Sequence, residues 1–436
     1  MVLDKIAENV EKYPLRTAYR VNGKSITYRE LWVKAKEKAQ TLRKEGKAPV
    51  IIYDTKEIET FIDIVACLLA GRPYVPISRT TPPERVKEII KTIQTSEIKD
   101  GTAYIIFTSG STGKPKGVPV STGNLDNFAK WISTLKPLAE YAGCNVLNQA
   151  SFSFDLSVSD MYYSLSNGHS LIEMDLDPAE EYSYIIPLFM CEKINVAMLT
   201  PTFIRLCLLD ESFSASNCPE LRCIYSCGEV LDKKTARKLL DRFPSLRLIN
   251  AYGPTEATSA VSGIVITEAM LQDDRPLPVG DMNTNATEIA ICDDEIVLKG
   301  KSVSTGYLGG LDGGFFTENG IQCYRTGDLG YIHDGKLYCL GRRDSQIKYK
   351  GYRIELMDIE NNIAVIPGVH ECAVTGSSKT VKAFVVTEKN GYDSCYIKAE
   401  LKKRVPDYMI PRTIEILDKL PMNQNGKIDR KELAEL

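Results

Sequence analysis

Residues 108–117 read Thr-Ser-Gly-Ser-Thr-Gly-Lys-Pro-Lys-Gly, and this run constrains the chain more than any other. The apolar Tyr104-Ile105-Ile106-Phe107 precedes it, and a helical pattern over 125–132 follows. A strand therefore feeds a loop of glycines, hydroxyls and lysines. Glycines such as Gly110 and Gly113 let the backbone take positive φ and approach a ligand closely. Successive N–H groups in such a turn form a nest for an anion. Thr108, Ser109, Ser111 and Thr112 add hydroxyls, and Lys114 and Lys116 add charge. The combination suits a polyphosphate. It is not the common P-loop, in which Ser or Thr follows the lysine to meet Mg²⁺; here Pro115 follows Lys114. The plain alternative is a polar linker, since such residues are common in loops. A ten-residue string placed directly after a strand favours phosphate.

The chain has 436 residues, more than one hydrophobic core serves, so two or more domains are expected. A net charge of −3 gives no case for a nucleic-acid partner. No apolar run reaches the ~18–20 residues of a spanning helix, so no stable membrane insertion is expected. Acidic residues stand near the N-terminus where a signal sequence would be apolar. Twelve cysteines lack paired C-x-x-C spacing and there are only three histidines, which argues for reduced thiols in the cytoplasm and against zinc.

Thr27-Tyr-Arg-Glu30 is a capping box opening an amphipathic helix with Leu31, Ala35 and Leu42 on one face. A strand is expected over 50–53, and a helix over 57–70 closed by Gly71. Strands and helices alternate to about residue 250, the pattern of an α/β sheet with helices on both faces. From about 277 the texture becomes β-rich, with a hairpin formed by 288–292 and 295–299. Beyond Arg342-Arg343-Asp344 the pattern is helix over 356–365, strands over 371–374 and 382–386, helix over 396–404 and a polar tail. The fold expected is α/β. A large N-terminal domain, 1–343, combines α/β subdomains with a barrel-like β-rich one, and a small α+β domain, 344–436, follows.

Two more segments carry chemistry. Asn250-Ala-Tyr-Gly-Pro-Thr-Glu-Ala-Thr258 follows a strand-like run, and Gly253-Pro254 forces a turn. Tyr252 offers an aromatic face, Thr255 a hydroxyl, and Glu256 a hard oxygen ligand suited to Mg²⁺. Tyr324-Arg-Thr-Gly-Asp328 ends on a carboxylate that can accept both hydroxyls of a ribose. The plain alternatives are an Asx-turn residue for Asp328 and a solvated loop acid for Glu256.

Together with 70–77, 152–158, 300–308, 341–355 and 421–430, these segments resemble the adenylate-forming superfamily of acyl-CoA synthetases, luciferases and peptide-synthetase adenylation domains. The resemblance covers nearly the whole length. Within the superfamily, Asn148-Gln-Ala-Ser-Phe-Ser-Phe-Asp-Leu-Ser-Val158 and Ser226-Cys-Gly-Glu-Val-Leu231 are most similar to the D-alanine–D-alanyl carrier protein ligases. The resemblance implies two half-reactions. An amino-acid carboxylate attacks the α-phosphorus of MgATP, giving aminoacyl-AMP and pyrophosphate. A phosphopantetheine thiol on an acyl carrier protein then takes the acyl group, and AMP leaves.

It also implies roles. The loop from Thr108 to Lys116 would grip the β and γ phosphates. Thr255 would touch the α-phosphate, and Glu256 would hold Mg²⁺. Tyr252 would stack on adenine, flanked by Asn250, Ala251 and Gly253, with Gly228 and Glu229 also at the nucleotide. Asp328 would hold the ribose with Arg342 beside it. Lys427 would reach in from a mobile C-terminal domain during adenylation, with Asp344 as the hinge.

Asp155 follows Phe154 in an otherwise apolar segment, where a carboxylate is costly unless paired. The resemblance makes the substrate ammonium its partner; the plain alternative is an N-cap for the helix that follows. The pocket wall implied is Leu156, Ser159, Met198, Tyr225, Cys227, Ala251, Ser259 and Ala260. Its bulk suits a small amino acid, D-alanine first. The alternatives are a stand-alone peptide-synthetase-type enzyme for serine, glycine or L-alanine, and an inactive nucleotide-binding relative. The chain is also shorter than typical members, mainly before the phosphate loop.

Overall fold

A computed structural model describes residues 1–110, 112–174, 182–311, 313–343, 346–377, 379–388, 392–422 and 428–435. They form two compact units. The first comprises Met1–Ser78, Ile98–Ile106 and Val118–Gly341. The second comprises Arg79–Glu97, Phe107–Gly117 and Arg342–Leu436. The expected boundary at Asp344 falls outside the described residues.

The local signals operate as their chemistry requires. The Thr27 side chain accepts the Glu30 N–H, and the Glu30 carboxylate accepts the Thr27 N–H at 2.9 Å, which starts the Tyr28–Lys44 helix. Gly71 ends the Ile58–Ala70 helix in the left-handed region, at φ 68°. Asp293 and Asp294, at φ 52° and 63°, turn the Glu288–Cys292 strand into Glu295–Lys299, as a tight hairpin demands.

The α/β alternation resolves into two sheets, whose strands belong to the first unit up to Ile106 and from Val118. One has eight strands in the order Ser262–Val265, Arg247–Tyr252, Cys223–Ser226, Val196–Leu199, Asn145–Asn148, Ser170–Glu173, Thr17–Val21 and Lys24–Thr27. Its six central strands pair in parallel and the two edge strands antiparallel. The other runs Val50–Asp54, Tyr74–Ser78, Thr102–Thr108 and Lys116–Ser121. Alternation requires crossovers but does not say which sheet the next strand joins. The β-rich region is a six-stranded sheet built on the long Ile321–His333 strand. The largest core of this unit gathers Tyr19, Phe61, Phe128, Phe152 and Tyr225.

The second unit holds a two-stranded ribbon, Gln346–Tyr349 with Tyr352–Glu355, and a three-stranded sheet. The third strand of that sheet, Thr413–Ile416, and the Arg430–Glu435 helix lie in what reads from sequence as a polar tail. The helix seats Leu433 against Phe384 and Leu420, and Arg430 grips the Glu360 carboxylate with both terminal nitrogens. Two adjacent apolar residues, Leu433 and Ala434, on so short a helix leave no periodicity to read.

Also in this unit, the Pro83–Thr95 and Leu356–Ala364 helices are joined by Arg85 and Asp358. Both carboxylate oxygens of Asp358 accept from the guanidinium, at 3.1 and 2.8 Å, and both side chains are buried. Removing one partner of such a pair strands a charge, at about 3–5 kcal/mol. Asp358→Ala should lower stability by that order, and Arg85→Met combined with Asp358→Leu should restore most of it. Urea unfolding followed by circular dichroism measures both. A single-variant loss under ~1 kcal/mol would mean that water reaches the pair.

Candidate active site

Asp155 occupies the N-cap position of the Leu156–Asn167 helix but does not cap it. Its backbone is helical, at φ −67° and ψ −15°, and the side chain makes no capping bond. Instead Oδ2 accepts the Thr255 hydroxyl at 2.6 Å, in a place only 9% exposed. The segment before it is pinned from another strand. Asp54, at the end of Val50–Asp54, accepts the Ser151 hydroxyl and, at 2.7 Å, the Phe152 N–H. Phe152 packs into a cluster with Tyr19 and Phe61.

Thr255 and Glu256 lie in the short turn Thr255–Ala257, which follows the Arg247–Tyr252 strand. Gly253 makes the bend possible, because a Cβ there would sit 2.4 Å from the Ala260 Cα. Thr258 and Ser259 then take φ of 62° and 69°, a strained conformation for non-glycine residues. Glu256 is 1% exposed, so it is no solvated loop acid, and its Oε1 accepts the Tyr307 hydroxyl at 2.5 Å. Asp328 is likewise buried and accepts the Tyr252 hydroxyl at 2.6 Å. Burial first, and the Asp328 charge second, hold the Tyr252 phenol well above its ordinary value, so it stays a donor.

The same unit gathers the other wall residues. Met198 and Tyr225 face each other in register on neighbouring parallel strands. The Ser159 and Ser259 hydroxyls meet at 3.0 Å. Leu156, Cys227, Ala251 and Ala260 are buried. Two expected nucleotide residues have side chains engaged in structure. Asn250 donates to the Pro278 carbonyl at 2.8 Å. Glu229 accepts the Thr202 N–H and hydroxyl at 2.8 and 2.6 Å, anchoring the Pro201–Cys207 helix, while Gly228 takes φ 96°.

The phosphate loop counts with the second unit. Gly110 donates its N–H to the Asp358 carboxylate at 3.3 Å. The Ser109 hydroxyl donates to the Arg353 carbonyl at 2.9 Å and accepts the Glu355 N–H at 3.0 Å. The Gly113 carbonyl accepts from Arg85 at 3.3 Å and Asn362 at 3.4 Å. One N–H of the loop, that of Gly110, is thus already given to a carboxylate. Thr108, Thr112, Lys116 and Arg342 also belong to this unit, whereas Ser111, Asp344 and Lys427 lie outside the described residues. Among the described residues no three His, Cys, Asp or Glu side chains cluster as a metal cage. A buried carboxylate such as Glu256 is a hard oxygen ligand of the kind that Mg²⁺ takes beside waters and phosphate oxygens.

Asp54, Tyr307, Arg85 and Asp358 are absent from the sequence reading. Tyr307 lies within the 300–308 segment, so its motif carried a signal; the other three had none.

The family model described as AMP-binding enzyme matches residues 6–98 and 94–308, and AMP-binding enzyme C-terminal domain matches 358–427. The first match breaks at 94–98, just ahead of the phosphate loop. The D-alanine–D-alanyl carrier protein ligase of Bacillus velezensis is 36% identical, covering 100% of this chain and 99% of that protein. That alignment has 500 positions against 436 residues, so at least 64 positions have no counterpart here. The Staphylococcus epidermidis ligase of the same name is 36% identical, over 98% of this chain and 97% of its own. Among solved structures, a Vibrio cholerae adenylation domain in complex with glycyl-adenosine-5′-phosphate superposes with a TM-score of 0.86 at 23% identity, covering 100% of this chain and 98% of its own. A holo NRPS protein containing adenylation and PCP domains, bound to a vinylsulfonamide inhibitor, gives 0.84 at 24% identity, with coverages of 100% and 84%. At such identities these two structures speak for the fold alone.

Removing the phenolic donor from a buried carboxylate costs about 1.5–3 kcal/mol. Tyr307→Phe should therefore lower stability by that order in urea unfolding. A loss below ~0.5 kcal/mol would show that Glu256 does not depend on that bond.

Proposed function

Because this chain belongs to the AMP-binding enzyme family, we propose that it is an ATP-dependent, AMP-forming ligase that activates D-alanine and loads it onto the phosphopantetheine thiol of a carrier protein. The naming of full-length relatives at 36% identity supports the activity and partner. The observation that carries the amino-acid reading is Asp155. Its buried carboxylate leaves the helix uncapped and is held by a neutral hydroxyl. A substrate ammonium that reached this carboxylate would form a charge-assisted hydrogen bond with it.

In the first half-reaction the D-alanine carboxylate attacks the α-phosphorus, and pyrophosphate leaves. In the second a thiolate attacks the acyl carbon, and AMP leaves. Both steps depend on positioning and charge stabilisation. Asp155 fixes the amino end of the substrate. Thr255 is bonded to Asp155, so the amino-acid and α-phosphate contacts are built on one hydrogen bond. The Tyr252–Asp328 bond locks the adenine platform to the ribose acceptor. Glu256, oriented by Tyr307, would hold Mg²⁺, which when bound offsets charge on the phosphates. Donors of the phosphate loop, Ser109 and Gly110 among them, would take the β and γ phosphates, and Arg342 would lie beside the ribose. Lys427 would act from a domain spanning 344–436 that rotates about Asp344 between the steps. Free cysteines and a need for ATP go with action in the cytoplasm. Among the described residues no helix is long and apolar enough to cross a membrane.

D-Alanine should support ATP–pyrophosphate exchange, and phenylalanine should not. Asp155→Ala should abolish exchange while the protein stays folded. Exchange with phenylalanine, or retained exchange in the variant, would overturn the amino-acid reading. Lys427→Ala should lose exchange yet still transfer D-alanine from supplied D-alanyl-AMP to the carrier protein. Equal loss of both steps would refute the two-position scheme.

A further inference from the structure

Two side-chain hydrogen bonds, one helical turn apart, join the Leu156–Asn167 helix to the loop after Tyr252. The first is Thr255 to Asp155. The second is the contact between the Ser159 and Ser259 hydroxyls at 3.0 Å. Residues four apart share a helix face, with Cβ atoms about 5–6 Å from each other. Ser159 is fully buried and Ser259 nearly so. Their mutual bond uses one hydroxyl hydrogen, and the second can turn to a ligand or towards the nearby Tyr225 oxygen. Tyr225 adds a third buried hydroxyl, which has no hydrogen bond of ordinary length among the described residues. Burial raises its phenol well above the ordinary value; Cys227 adds to that, and the nearby Ser159 works against it.

Buried hydroxyls with bonds unmade are costly. A wall that had only to enclose a methyl group would be better made of alanine or valine. The geometry suits a different group. A β-hydroxyl stands three bonds from the ammonium nitrogen. With that nitrogen about 2.8 Å from Asp155, the hydroxyl falls roughly one helical turn away, beside Ser159 and Ser259.

We propose that the site also activates serine, of the same handedness as its alanine, with the Ser159–Ser259 pair hydrogen-bonding the substrate β-hydroxyl. The inference rests on Asp155 holding the ammonium. A substrate hydroxyl takes the unused hydrogen and donates in return. When alanine is bound, the pair closes on itself, so both substrates are accepted. A site built to bond a hydroxyl discriminates against the analogue that replaces it with a methyl.

The test is ATP–pyrophosphate exchange by the full chain with D- and L-alanine, serine and α-aminobutyrate. The last has a methyl where serine has its hydroxyl. Serine should give a kcat/KM at least ~10-fold above α-aminobutyrate of the same handedness. In Ser159→Ala and Ser259→Ala, checked for folding by thermal melting, the serine to aminobutyrate ratio should fall towards one. If alanine is activated but serine does no better than aminobutyrate, the hydroxyl subsite is wrong while the ligase reading stands. A ratio unchanged in both folded variants also overturns it, since the hydroxyl is then recognised elsewhere. If none of these amino acids is activated, the ligase reading fails and the inference with it.

Discussion

The hydrogen bond from Thr255 to Asp155 ties the start of one helix to the turn that follows the Arg247–Tyr252 strand. The site depends on that tie. It fixes the carboxylate expected to meet the amino group to the hydroxyl expected to meet the α-phosphate. The same construction recurs twice nearby. Tyr307 holds Glu256, and Tyr252 holds Asp328. Each buried carboxylate is steadied by a neutral O–H donor. Such a donor orients a carboxylate without itself carrying a neutralising charge. Burial raises the cost of such charges, and the same low dielectric makes them effective once a ligand arrives.

The phosphate loop shows the complementary arrangement. Its donors are engaged by protein acceptors, with Gly110 giving its N–H to Asp358 and Ser109 its hydroxyl to Arg353. Buried donors of this kind are expensive to leave unpaired. A nucleotide phosphate bound by this loop, as proposed, would replace those contacts, and the Arg85–Asp358 pair would have to adjust with them. The carboxylate of Asp358 is held by the same kind of group that would hold a phosphate oxygen.

Much of this was legible in sequence where the cause is local. Thr27 and Glu30 lie three residues apart, Gly71 ends its own helix, and Asp293-Asp294 join adjacent strands. The resemblance named the expected site residues, because its motifs are short strings. What was not legible depends on distant partners. Arg85 and Asp358 are 273 residues apart, and nothing near either announces the pair. Asp54 steadies the segment before Asp155 from another sheet, 98 positions before Phe152. The division of the α/β region into two sheets, and the seating of Leu433 in the supposed tail, are likewise decisions of tertiary packing.

The role proposed for Asp155 is to hold the substrate ammonium. Calorimetric titration with two stable adenylate mimics addresses it directly: D-alanyl-sulfamoyl-adenosine, and the propionyl compound that differs only in lacking the amino group. The amino compound should bind at least ~100-fold tighter, about 2.7 kcal/mol. Equal affinities would contradict it.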